Sequence, residues 1–233
     1  MPTATVTPVP TPTLPAGSLA AGARFIISEV LFSPTEGSES AGEWVELYNP
    51  TDQAIDLAGW SLADNYSAEE LPPLAVGPRS YVVVAGSVDA FLAAHLSFSG
   101  SVIQGGGGRI GNGLANDADM VVLADILGAL ADSVNWGKPQ PSWPGYHSAI
   151  WDPGLSPPAS GFSLARTDGR EEAFSMAAWA SSSRPSPGQA NPTSEPAPTA
   201  TATPGPAPTP TPTPNPGAAP QIVSQSYLPA LSR

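Results

Sequence analysis

The sequence predicts an all-β fold, either a sandwich or a barrel, in one central block of the chain. Short runs of strand-forming residues follow one another along this block, and Gly, Pro, Asn and Ser turn signals separate them. Apolar residues at helical spacing form one convincing segment, at 87–96. Tracts of almost pure Pro, Thr and Ala stand before and after the block, and proline prevents such tracts from packing as helix or sheet. We therefore expect one β-rich domain between two extended spacers.

The first half of the block predicts four strands. Residues 24–32 (RFIISEVLF) form the first strand, and residues 43–49 (EWVELYN) form the second, which closes at a proline turn. Residues 54–57 and 60–64 form a third and a fourth strand, separated by a glycine turn. Trp60 opens the fourth strand and has the size to fill the core of a sandwich.

The second half of the block adds one helix and further strands. Residues 81–85 (YVVVA) are apolar on both faces and are predicted to form a central strand. The helix at 87–96 places four apolar side chains on one side: Val88, Phe91, Leu92 and Leu96. A hairpin joins 120–124 to 130–136, and residues 162–166 form the last clear strand.

Composition and charge exclude several classes of function. The chain has 233 residues and a formal net charge of −12. Its basic residues are few and scattered, so binding to nucleic acid by neutralising phosphates is not expected. We interpret the acids as a solvated face that aids solubility. No cysteine is present, which excludes a disulfide framework, a thiol nucleophile and a cysteine-based zinc site.

The same composition indicates an exported protein. Charged residues make up 12 % of the chain, against an ordinary share of about 25 %, and this is common in exported β-rich modules. No apolar run approaches the roughly 18 residues that span a bilayer, so we expect no transmembrane segment. Met1-Pro2-Thr3 leads directly into the first spacer, and we expect either a fragment or a chain whose export signal is missing.

A catalytic centre is not predicted. His95 and His147 lack other His, Cys or carboxylate residues at metal-ligand spacing. No Gly-x-Ser-x-Gly elbow is present. The four glycines at 105–108 lack the Lys-Ser/Thr ending of a phosphate-binding loop and lead into no predicted helix. We therefore expect neither enzymatic activity nor a cofactor.

Asp117 and Asp119 are weak candidates for binding a single calcium ion. Together with Asn116 they resemble the start of a calcium loop, but an EF-hand needs glycine at the sixth position and glutamate at the twelfth. Counted from Asp117, these positions hold Val122 and Gly128, so the EF-hand fails. The alternative, in which the acids cap a tight turn through bonds to the backbone, remains open.

The segment 136–151 is the predicted ligand-binding region. It carries four aromatic residues among prolines: Trp136, Trp143, Tyr146 and Trp151. Aromatic rings on stiff loops stack on sugar rings or bind peptides, because each ring supplies contact area at little entropic cost. In the alternative interpretation, the same rings cover an open end of the sandwich as a satellite core.

Four separated motifs resemble the lamin-tail domain family, as it occurs in bacterial secreted proteins. The first is 27–30 followed by 43–49, and the second is 56–64. The third is 114–119 continued by 121–123, Gly128 and 132–134. The fourth is 161–166, with a closing Pro187-Gly188 and Asn191. The motifs span 24–191 in order. Ala118 departs from the family pattern, which often has glycine there, and that glycine is a turn preference.

The resemblance implies an immunoglobulin-like β-sandwich with no catalytic centre. Members of the family resemble adhesion or tethering modules, often attached to secreted hydrolases, nucleases or envelope proteins. The expected fold class is thus an all-β, immunoglobulin-like β-sandwich with one short helix, flanked by disordered Pro/Thr-rich tails.

The expected organisation has four parts. A linker covers 1–18, the sandwich domain covers 19–192, a second linker covers 193–220, and a short segment covers 221–233. We expect a non-catalytic extracellular or cell-envelope module that attaches to a cell-surface protein or polysaccharide. The alternative is a carbohydrate-binding accessory module of a secreted enzyme. A calcium-dependent enzyme or nuclease is a third hypothesis, and the oligomeric state is left open.

Overall fold

The computed structural model describes residues 24–143, 150–167 and 175–192. The predicted linkers 1–18 and 193–220 and the segment 221–233 lie outside the described residues. The described part contains these strands: β1 (Ile26–Leu31), β2 (Trp44–Tyr48), β3 (Ile55–Asp56), β4 (Ser61–Ala63), β5 (Ala68–Glu70), β6 (Ala75–Val76), β7 (Tyr81–Ala85), β8 (Ser101–Gln104), β9 (Asp119–Ala124), β10 (Leu130–Trp136), β11 (Ser163–Arg166) and β12 (Trp179–Ser182). Its α-helices are α1 (Glu39–Gly42) and α2 (Val88–Ala94).

Two sheets face each other, which confirms the predicted immunoglobulin-like sandwich. The larger sheet has the order β12-β11-β1-β2-β7-β8, and the smaller has the order β10-β9-β4-β5. Neighbouring strands pair antiparallel throughout both sheets, except that β8 runs parallel to β7. Strand β7 therefore lies inside the larger sheet, between β2 and β8, as its apolar character on both faces predicted.

The core lies between the two sheets and is rich in aromatic side chains. Trp60 is fully buried, as predicted, and meets Phe25 edge to face at 5.0 Å between ring centroids. Phe32 stacks on Trp136 at 4.1 Å with the ring planes 5° apart. Such paired rings contribute about 0.5–1.5 kcal/mol beyond the area that they bury.

Helix α2 packs against the outer face of the larger sheet. The helix begins after Ser87, whose Oγ accepts a hydrogen bond from the amide of Ala90 at 3.3 Å. Phe91 packs with Trp44 on β2 in a small cluster outside the main core. The predicted apolar side of the helix is only partly correct. Leu92 is 41 % exposed, and Leu96 is 90 % exposed because the helix ends before it, at Ala94.

Several short elements are missing from the sequence prediction. Strands β5, β6, β8 and β12 have two to four residues each and show no clear apolar alternation. Helix α1 is a single turn, so the described residues contain two α-helices where the sequence predicts one. Periodicity cannot reveal elements of this length, because they do not complete a pattern. No helix in the described ranges combines the length and the apolar character needed to cross a membrane.

A buried ion pair joins the two sheets. Arg166 on β11 donates to the carboxylate of Asp132 on β10 at 2.5 Å, and their side chains are 3 % and 0 % exposed. Arg166 also donates through Nε to the carbonyl of Ile27 at 2.9 Å, and its guanidinium lies 4.7 Å from the ring centroid of Trp179. The same Asp132 oxygen accepts the amide of Ile27 at 2.9 Å. One charged pair thus fixes β1, β10 and β11 relative to one another.

Candidate functional site

Trp136, the first residue of the predicted aromatic region, belongs to the core. Its side chain is 0 % exposed, stacks on Phe32, and donates through Nε1 to the carbonyl of Ala115 at 2.8 Å. A ring held in this way presents no face to a ligand. Trp136 is thus part of the main core, whereas the alternative interpretation expects a satellite core at an open end of the sandwich.

The other aromatic residues of the region occupy different surroundings. Trp143 packs on the outer face of the smaller sheet against Met120 and Val122, with 7 % of its surface exposed. Trp151 is half-buried against the main core, and its amide donates to Asn135 at 2.9 Å. Tyr146 lies outside the described residues. The three rings that the structure describes therefore do not share one surface, and the role of the region as a ligand site stays a prediction.

Asp119 is engaged by backbone amides. Its oxygens accept from the amides of Ala115 at 2.7 Å, Met120 at 2.7 Å and Asn65 at 3.1 Å, and the residue is 0 % exposed. Asp117 is exposed and accepts from the next amide, that of Ala118. In the part of the chain that the structure describes, no group of three or more His, Asp or Glu side chains is placed to hold a metal ion. The bonds are those of an acid that fixes a turn, and calcium binding by these residues stays a prediction.

The long loop from β8 to β9 is fastened by carboxylates at one end of the sandwich. Asp64 accepts from the amide of Asn112 at 2.6 Å, and Glu43 accepts from that of Leu114 at 3.0 Å. Glu69 accepts from the amide of Gly106. Burial raises the pKa of Glu43 to about 7 and that of Asp119 to about 6, and the neighbouring carboxylates add to both shifts.

Two further buried acids lie side by side on the outer face of the larger sheet. Glu29 and Glu46 are register partners on β1 and β2, and both are 0 % exposed. The segment 185–191 covers them, because Ser186 donates its amide to Glu29 at 3.0 Å and Gly188 donates its amide to Glu46 at 2.5 Å. Burial raises the pKa of Glu29 to about 7 and that of Glu46 to about 8.

The interpretation of the acids as a solvated face is therefore wrong for several of them. Six acidic residues in the described ranges are buried: Glu29, Glu43, Glu46, Asp64, Asp119 and Asp132. A buried carboxylate is tolerated when donors surround it. Here the donors include backbone amides and hydroxyl groups, together with Arg166, and they come from loops and strands distant in sequence. These acids hold the architecture together, and each accepts at least one hydrogen bond from a structural donor.

His95 has structural neighbours as well. It caps the end of α2, and its ring contacts Phe91 at 4.6 Å and Trp44 at 6.0 Å between centroids. Desolvation by burial lowers its pKa, which favours the neutral ring. His147 lies outside the described residues. The surroundings of His95 are those of a packed aromatic ring.

The structure contains a surface cluster made of residues that the sequence does not predict to form a site. Tyr48 and Tyr81 stack on each other at the end of β2 and β7, beside the ion pair of Arg79 and Asp52. The signal available in the sequence is weak: each tyrosine stands at a strand end next to a turn. Only the register of β2 and β7, which places the two rings opposite each other, reveals the pair.

A comparison with protein families places the chain among known proteins. A family model described as Lamin Tail Domain matches residues 18–138, which is just over half of the chain. The matched part ends just after β10, so β11, β12 and the covering segment 185–191 follow it. No curated protein matches the chain.

Proposed function

The chain belongs to the lamin tail domain family, and from that premise we propose that it is a non-catalytic attachment module of the cell surface or extracellular space. The family supplies an immunoglobulin-like domain without a catalytic centre. The finer assignment, attachment to a cell-surface protein or polysaccharide, is our own proposal. The absence of enzymatic activity in this particular chain is also our proposal.

The use of the buried carboxylates is the observation that carries the proposal. Enzymes place acids where substrate and water reach them, with oxygens open to the reacting groups. In this domain Asp119 accepts three backbone amides, and Glu29 accepts both from the covering segment and from Ser163. These acids make the domain rigid by fixing its loops and strands. A rigid domain suits a module that presents a binding surface.

The tracts at both ends of the sequence support attachment over free diffusion. The tract 193–220 is dominated by Pro, Thr and Ala, a composition that favours extended polyproline II and acts as a semi-rigid spacer. A spacer is useful where a domain must be held away from its anchor. It is not needed for a domain that acts alone in solution.

The alternative proposal, an accessory carbohydrate-binding module that uses the aromatic region, has narrower support. Because Trp136 belongs to the core, the proposal now depends on Trp143, Trp151 and Tyr146. Trp143 lines a cavity of about 690 Å³ together with Gln140 and Asp152, which is the observation in its favour.

Sedimentation of the full chain with purified cell envelopes tests the proposal. We expect the chain to bind the envelopes saturably. In parallel assays it should leave substrates of hydrolases and nucleases unchanged. A reproducible turnover rate that one side-chain substitution removes would contradict the non-catalytic assignment. Failure to bind envelopes at any accessible concentration would contradict the attachment assignment.

A further inference from the structure

The segment 185–191, which we call the strap, covers two buried carboxylates on the outer face of the larger sheet. The amide of Ser186 donates to Glu29 at 3.0 Å, and its hydroxyl group donates to the same carboxylate at 3.4 Å. The amide of Gly188 donates to Glu46 at 2.5 Å. This part of the strap is thus attached to the sheet through two groups that can titrate.

A neutral anchor holds the end of the strap. The side-chain amide of Asn191 donates to the backbone carbonyls of Ser28 and Arg166 at 2.8 and 3.0 Å. The Pro/Thr/Ala tract 193–220 follows almost directly in the sequence. Because the two bonds of Asn191 join neutral groups, the two carboxylates are the part of the attachment that can respond to pH.

Apolar packing contributes little to holding the strap. In the part of the chain that the structure describes, no strap residue belongs to an apolar core cluster. Two cavities border the strap: one of about 480 Å³ lies between Pro185 and helix α2, and one of about 180 Å³ lies beside His95. Gly188 has a φ of 80°, and a Cβ there would lie 2.9 Å from the ring of Phe98. A segment held mainly by hydrogen bonds opens at a lower free energy than the strands of the core.

The groups that surround the two carboxylates are neutral. Glu29 and Glu46 are register partners, and Glu46 has Val83 of β7 as its other partner. Hydroxyl groups complete the surroundings, since Ser163 of β11 donates to Glu29 and Ser28 donates to Glu46, at 2.5 and 2.6 Å. Among the described residues, neither acid forms an ion pair with Lys or Arg. When both acids ionise, each therefore faces a like charge on the neighbouring strand.

Two other titratable groups lie near the strap. His95, at the end of α2, lines the smaller cavity, and burial lowers its pKa, so its ring is neutral around pH 7. Arg184 immediately precedes the strap and is exposed, so solvent screens its charge. Neither group changes its charge between pH 7 and pH 8.5. A change in the strap over that range comes from the carboxylates that it covers.

The direction of the pH response follows from burial. Under the closed strap, burial raises the pKa of Glu29 to about 7 and that of Glu46 to about 8, from an ordinary value of 4.5. When the strap lifts, water reaches both carboxylates and their pKa values fall towards 4.5. The closed state is therefore favoured fully below a pH of about 4.5, and this advantage is lost as the pH rises through about 7 to 8.

We propose that the strap is a pH-dependent latch, closed over Glu29 and Glu46 while they are protonated and released when both are ionised. Release uncovers this part of the outer face of β1 and β2 and leaves Asn191 as the remaining anchor of the strap. The latch changes the surface that the domain presents beside the tract 193–220. The inference goes beyond the proposed function, because it holds whatever the module attaches to.

Amide hydrogen exchange of the full chain, followed by NMR from pH 5 to pH 8.5, tests the proposal. Exchange rates are divided by the intrinsic rate at each pH, so that protection factors are compared. The amides of Ser186 and Gly188 report on the strap, and those of β9, an inner strand of the smaller sheet, report on opening of the whole domain. Between pH 5 and pH 8.5 the protection of the strap should fall at least about tenfold more than that of β9.

One substitution tests whether the carboxylates operate the latch. Glu46→Gln keeps the size of the side chain and an oxygen that accepts the amide of Gly188, but it cannot ionise. At pH 8.5 the strap of this variant should be protected at least about tenfold better than that of the wild type. Glu70→Gln is the matched control, because Glu70 is exposed on β5 in the smaller sheet, and its strap should behave like that of the wild type.

Three results would overturn the latch. The first is a parallel loss of protection in the strap and β9, since the strap would then open only with the whole domain. The second is a strap that has no protection at pH 5, and the third is a Glu46→Gln variant whose strap responds to pH like the wild type. If Glu46→Gln does not fold, the wild-type comparison of the strap with β9 still decides the result. Envelope binding is measured separately, so the latch and the attachment module can each fail alone.

Discussion

Removal of the charge that joins the two sheets should destabilise the domain strongly. In Arg166→Met the carboxylate of Asp132 stays buried, and the loss of one partner of a buried ion pair costs about 3–5 kcal/mol. The bond from Arg166 to the carbonyl of Ile27 is also lost. Asp132 keeps the amides of Ile27 and Ser133 as donors, which offsets part of the loss. We expect a net loss of about 4 kcal/mol in the free energy of unfolding.

Urea denaturation of the full chain measures this loss. With a slope of about 2 kcal/mol per M, the unfolding midpoint of Arg166→Met should fall by about 2 M. Arg79→Met is the matched control, because it removes the same charge from a pair whose side chains are 53 % and 83 % exposed. Solvent screens an exposed pair, so the midpoint of this variant should fall far less than that of Arg166→Met. Equal shifts in the two variants would refute the assignment of the Arg166 pair as a structural link between the sheets.

Three further predictions concern acids, turns and the core. The domain should melt at least about 4 °C higher at pH 5 than at pH 8.5, because four buried acids have raised pKa values: Glu29, Glu43, Glu46 and Asp119. Their contribution to stability is fully present below a pH of about 4 and is lost as the pH rises through about 6 to 8. A melting temperature that does not change with pH would contradict the burial of these acids. Gly137→Ala should lower the free energy of unfolding in urea by at least about 1 kcal/mol more than Gly37→Ala does. Both glycines have positive φ, but only at Gly137 would a Cβ lie 2.1 Å from the carbonyl oxygen of Asp117. Equal losses in the two variants would count against that contact. Trp136→Phe should lower the free energy of unfolding by about 1–3 kcal/mol, because the carbonyl of Ala115 loses its donor, and a neutral result would show that the indole bond is not formed.

The strands that the sequence predicts are those with a complete local pattern. The apolar run at 81–85 and the strand-forming run at 43–49 each satisfy the requirements of a buried strand within one segment. The hairpin of β9 and β10 has two strong runs and a short turn, so its partner is next to it in sequence. Elements of this kind are determined by neighbouring residues, and sequence patterns therefore reveal them.

The surroundings of the polar residues depend on contacts across the chain. Glu29 receives the amide of Ser186, which lies 157 positions away, and Glu46 receives that of Gly188, which lies 142 positions away. No local pattern predicts which loop covers a given strand face, so these acids look solvated in the sequence. The aromatic region is ambiguous for the same reason. Trp136 lies in the core and Trp143 on the outer face of the smaller sheet, although the same kind of sequence surrounds both.

The binding isotherm of the full chain on purified cell envelopes tests the central claim most directly. The account predicts saturable binding by the wild type, with no turnover of hydrolase or nuclease substrates. A wild-type chain that stays in the supernatant at every concentration would contradict the assignment of this domain as an attachment module.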